Sequence, residues 1–95
     1  MLDKKGKEIR VGDKVRWPTN SAYNPFNHEG IVITLVPKGT DCPDWLLDNL
    51  TDKKYKLTGT LILCGTIDRV FVTVNRPKSC PLLYNPRPTS IEVIG

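Results

Sequence analysis

The closing stretch of the chain, RVFVTVNRPKSCPLLYNPRPTSIEVIG (residues 69–95), sets the strand count by how its middle is read. At its start Val70, Val72 and Val74 alternate with Phe71 and Thr73, so the valines share one face of a strand. At its end Ile91 and Val93 point inward around Glu92, in a second strand. Residues 77–90, between them, carry four prolines. Proline fixes φ and removes a backbone donor, which disfavours helix and central strand alike. The spacing predicts a proline-rich crossing there.

The same alternation recurs upstream. In DKVRW (13–17) Val15 and Trp17 face one way, with Lys14 and Arg16 on the other side. GIVITLV (30–36) is a continuous apolar run suited to a strand covered on both faces, and GTLILCG (59–65) repeats the pattern. That makes five strands. GTID (65–68) is short enough for a hairpin turn, with Gly65 free to take positive φ. Residues 18–28, with two prolines and three asparagines, form a long loop, and residues 37–58 form the longest insertion. Within that insertion TDCPDWLLDNL (40–50) offers Thr40 or Asp41 as a cap, Pro43 in the first turn, and Leu46, Leu47 and Leu50 along one face. A short helix inside 40–51 follows. Residues 1–11 make an N-terminal extension with a tight turn at Lys5 and Gly6, suited to an extra hairpin. No repeat or linker divides the 95 residues, which read as one small domain.

Eight prolines and seven glycines, spread as punctuation, favour a mainly β protein of short elements. The N-terminus is charged and no apolar run approaches the roughly 18–20 residues of a membrane span, so a cytoplasmic protein is expected. Cys42, Cys64, Cys80 and His28 stand at least 14 residues apart, without the close pairs that zinc sites use. Reduced thiols, no metal and no cofactor are the expectation. Catalytic constellations are also scarce. A Cys–His dyad through His28 has no local signature, and Asp41, Asp44 and Asp48 lie along the helix, where the first two read as caps. The chain reads as a binding protein, not an enzyme.

IRVGDKVRW (9–17) followed by EGIVITLV (29–36) resembles the opening of the Src-homology-3-like small barrels, including the KOW-type barrels of ribosomal and transcription proteins. Gly12 and Asp13 make the turn into the first strand, and Gly30 lets the second coil over. The resemblance covers roughly residues 9–94. It implies a five-stranded barrel, here with a short helix in the long loop between strands two and three. It also implies that the first loop, the second loop and the crossing before the last strand gather on one side, opposite the tight hairpin.

Those three connections carry Tyr23 and Phe26, then Trp45 and Tyr55, then Tyr84, five of the seven aromatics. Large exposed aromatic area implies a partner. Arg87, between Pro86 and Pro88, is a stiffly held anchor of the kind that interfaces use. Tyr23, Phe26, Trp45, Tyr84 and Arg87 are therefore the candidate partner-binding residues, and a partner protein is favoured. By analogy with small chains of phages and mobile elements, it would be a host protein. Residues 18–28 hold no acid, which argues against the arginine-bearing ligands usual in the Src-homology-3 family. The alternative is a nucleic acid, supported by a sequence pI near 9.1 and a net charge of +4. Lys14, Arg16, Arg76 and Lys78 would then contact phosphates while rings stack on bases.

Overall fold

Strands β1 (Lys14–Pro18), β2 (Asn27–Val36), β3 (Lys56–Leu57), β4 (Arg69–Arg76), β5 (Ser79–Tyr84) and β6 (Glu92–Val93), with helix α1 (Asp44–Thr51) between β2 and β3, make up the computed structural model. It describes residues 1–18, 27–57 and 67–95. The strands form one mixed sheet in the order β3-β5-β4-β2-β1-β6. Only β3 with β5 is parallel; the other pairs are antiparallel.

The protein is thus mainly β, but its strand inventory differs from the sequence expectation. The described residues build an open six-stranded sheet where a closed five-stranded barrel was expected. The expected strand at 59–65 lies outside the described residues. The proline-rich stretch 77–90 is not all crossing, because Ser79–Tyr84 is a strand flanked by β4 and β3. Pro81 is tolerated there for a physical reason. The register runs Val74↔Leu82 and then Arg76↔Ser79, so Cys80 and Pro81 together face the single residue Asn75. A bulge needs no ladder donor at its extra residue, which is where a proline fits. Arg76 Nε donates to the Cys80 carbonyl at 2.9 Å and satisfies it locally. A tight hairpin sits at Pro77 and Lys78, with Lys78 at φ +65°; the turn expected at 65–68 begins outside the described residues. Proline followed by positive φ is the combination a type II turn uses.

Strand β4 is covered on both faces, as its first four buried residues imply. On one face Val70 and Val72 join Ile9, Val15, Trp17, Val32, Ile91 and Val93. On the other, Phe71 joins Val36, Leu46 and Leu83, with Cys42, Leu50, Tyr55 and Leu57 around them. Strand β2 serves both layers through a register shift between Val32 and Thr34, which lets Val32 and Leu35 pack on the first face and Ile33 and Val36 on the second. Helix α1 is the cover of the second face. Its Leu46 is fully buried, and fully burying such a side chain contributes roughly 1.5–3 kcal/mol. The helix begins at Asp44 with Pro43 as the residue before it; Thr40 instead donates its hydroxyl to the Pro37 carbonyl. Leu47, expected on the buried face, is exposed, because Leu46 and Leu50 four residues apart set that face.

Gly30 stands where β2 passes closest to β4. A Cβ there would lie 2.5 Å from the Thr73 carbonyl oxygen and 2.6 Å from a Val72 methyl. Only glycine allows this approach. The N-terminal residues turn at Lys4, Lys5 and Gly6, the last at φ +80°, and Leu2 bridges Glu8. Asp3 holds this turn to the last strand. Its Oδ1 accepts the Lys5 and Lys7 N–H groups at 2.8 Å each, and its Oδ2 accepts the Val93 N–H at 2.9 Å. The Val93 bond above all keeps its carboxyl below the usual range, against the opposing effect of burial.

Candidate functional site

Trp17 and His28 are direct cross-strand partners on β1 and β2. Both side chains point to the first core face, since Trp17 shares the parity of Val15, and His28 that of Gly30 and Val32. Tyr84, at the end of β5 opposite Val72, reaches the same face. The three rings pack on one another, with centroids 5.5 Å apart for Trp17 and His28, 5.3 Å for Trp17 and Tyr84, and 4.9 Å for His28 and Tyr84. The Trp17 and Tyr84 rings meet edge to face, a favoured aromatic geometry. Trp17 is 6% exposed and forms the floor; His28 and Tyr84 are half-buried.

These rings form one wall of a cleft of about 500 Å³, lined by Trp17, Pro18, His28, Arg69, Tyr84, Asn85, Pro86, Arg87 and Ser90. The other wall is the connection from β5 to β6, and backbone bonds fix it. Val70 N–H donates to the Pro86 carbonyl at 3.2 Å, and Arg69 Nη1 donates to the Asn85 carbonyl at 3.1 Å. Arg87 has φ −74° and ψ 145°, the extended state that a following proline imposes, and its carbonyl accepts the Ser90 N–H at 3.0 Å. A single 3-10 turn, Pro88–Ser90, then leads into β6. Two arginines and no acid are among the described lining residues. Arg69 is 7% exposed, whereas Arg87 is exposed and no ion pair engages it among the described residues.

The structure therefore brings Tyr84 and Arg87 into one cleft and adds Trp17, His28 and Arg69, which the sequence did not assign to a site. The signal for His28 was its parity with Val32 in β2. Tyr23 and Phe26 lie outside the described residues. Trp45 is elsewhere. It sits on α1, over the opposite face of the sheet, and is 46% exposed.

The four candidate phosphate contacts are dispersed. Lys14 pairs with Glu29 at 3.7 Å, and Arg16 with Glu92 at 2.9 Å. Glu92 also meets Lys5 at 2.9 Å and Lys4 at 3.8 Å. The hydrogen bonds from Lys5 and Arg16 pull the Glu92 carboxyl down to about 2. Arg76 is bound to Cys80, donating to its carbonyl and, at 3.7 Å, to its sulfur. Lys78 is at the tip of the β4–β5 hairpin. Cys42 packs beside α1, and Cys64 lies outside the described residues. Among the described residues no group of three or more His, Cys, Asp or Glu could hold a metal ion, and no helix is long and apolar enough to cross a membrane.

Comparison with protein-family models, with curated proteins and with solved structures found no match to this chain.

Proposed function

We propose that this chain is a non-enzymatic binding module that engages a partner protein through the Tyr84 and Arg87 cleft. The observation that carries this reading is the pairing of a packed aromatic wall with an exposed arginine on a segment already fixed by prolines and backbone bonds. Rings and arginine are the side chains that dominate interface energies, and a preset backbone limits the entropy lost on binding. His28 stacks with two rings, a position suited to a contact surface.

The arrangement of connections supports a Src-homology-3-like barrel as the architecture. With β3 left out, the chain runs strand, long loop, strand, long insertion, strand, tight hairpin, strand, proline-bearing crossing, strand. That is the order the resemblance implies, with the hairpin at Pro77 and Lys78 and the crossing at residues 85–91. In such a barrel the cleft would occupy the end away from the hairpin. A nucleic-acid partner has less support, because Lys14, Arg16 and Arg76 are each committed to partners within the fold. A counterion-releasing stripe needs several uncommitted cations in a row.

The test is capture from a lysate of the producing cell or its host, with wild-type and Tyr84→Ala chains as baits, with and without nuclease, at two salt concentrations. A protein retained by the wild type, insensitive to nuclease and lost with Tyr84→Ala, is the expected result. A partner that disappears on nuclease treatment overturns the reading.

A further inference from the structure

Arg87 also lines a second cleft of about 300 Å³, together with Leu2, Ile67, Asp68, Pro88 and Thr89, so it belongs to both. The two flanks differ from their junction. One flank offers Trp17, Tyr84, Pro18 and Pro86; the other offers Leu2, 55% exposed, with Ile67 and Pro88. Between them stands the exposed side chain of Arg87, whose backbone is held extended between two prolines. Asp68 is the one acid among the described lining residues of either cleft, and its Oδ1 accepts the Lys38 N–H at 2.7 Å. Arg69 and Arg87 outweigh it, so the groove is net positive.

Resting on the protein-binding reading above, we infer that the occupant is an extended peptide segment of the partner carrying an aspartate or glutamate flanked by apolar residues, its carboxylate on Arg87 and its apolar side chains in the two clefts. A carboxylate can meet the planar guanidinium with two parallel hydrogen bonds, which a neutral amide cannot match. The apolar flanks select a peptide over a nucleic acid strand, whose phosphates would call for further cations beside Arg87. An arginine-bearing ligand is disfavoured by the same charge.

The experiment pans random peptides displayed on phage against the full chain and then measures the enriched sequence as two synthetic peptides, one with its acid and one with the matching amide. Enrichment of an Asp or Glu between apolar residues is expected, with about tenfold weaker binding of the amide peptide. Arg87→Gln should erase the difference between the two peptides while leaving the melting temperature in place, and Arg87→Lys should restore part of it. Enriched peptides that lack an acid, yet lose binding with Tyr84→Ala, overturn this inference and leave the protein-binding cleft standing. No enrichment over an unrelated control protein, together with tight binding of a random-sequence single-stranded oligonucleotide, overturns both. Equal loss of the acid and amide peptides with Arg87→Gln also overturns it, since the arginine would then act by shape alone.

Discussion

Arg16 and Arg87 are both basic side chains near β6, yet their surroundings differ in kind. Arg16 faces Glu92, whose carboxylate also takes Lys5 and Lys4, and the N-terminal turn beside them is tied down by Asp3. Its charge is used within the fold. Arg87 stands at the junction of two clefts with no ion pair among the described residues, between prolines that hold its backbone extended. Net charge alone does not separate these cases. What separates them is whether a carboxylate of the chain has been brought to the cation, and only the folded register Arg16↔Glu92 does that.

The largest effect is expected where both regions depend on one feature. Gly30 pairs with Val15 and sets the close approach of β2 to β4. Gly30→Ala forces the Thr73 carbonyl away and should cost about 3 kcal/mol of stability, near the upper end for overpacking. Thermal unfolding measures it, and peptide binding should weaken too. A variant as stable as the wild type would mean that the two strands are not so close.

Asp3→Ala sharpens the contrast from the structural side. It strands three backbone N–H groups, the one from Val93 buried, and should cost about 2–3 kcal/mol in chemical denaturation. Binding at the Arg87 cleft should persist once the variant is folded. From the other side, Arg87→Gln should weaken peptide binding about tenfold and shift stability by less than about 0.5 kcal/mol, as exposed substitutions do.

The smallest effect is electrostatic and shows in acid. The Glu92 carboxyl is depressed from 4.5 to about 2 in the folded chain. Its contribution to stability is therefore complete above about pH 4.5 and is lost as the pH falls toward 2, where the folded state takes up the proton. Glu92→Gln should flatten the stability profile within that window and leave the profile above it parallel to the wild type. An unchanged slope would break the claim that this region has spent its charges internally.

How much of this was legible in the sequence depended on whether the deciding contact was local. β1 and β6 follow from alternation, with Val15 and Trp17, and Ile91 and Val93, buried two apart, whereas β2 and β4 follow from apolar runs covered on both faces. β5 did not, since Pro77 and Pro81 mark a turn and a bulge that become visible only when Asn75 is seen opposite two residues. The helix was legible and so was most of its phase: Leu46 and Leu50 face the sheet as expected, and Leu47, expected beside them, is turned outward. At the site, Tyr84 and Arg87 stood out because prolines frame them. His28 passed as a stray ligand, because its meaning depends on pairing with Trp17 and stacking on Tyr84, contacts made across 11 and 56 positions.

The central claim is that Arg16 serves the fold while Arg87 serves a partner. The most direct measurement is a paired one, melting temperature and affinity for the enriched acidic peptide, made on Arg16→Gln and Arg87→Gln. Arg16→Gln should lower the melting temperature and leave the affinity unchanged, whereas Arg87→Gln should do the reverse. If Arg16→Gln weakens the peptide as much as Arg87→Gln does, or if Arg87→Gln lowers the melting temperature and spares the affinity, the account is contradicted.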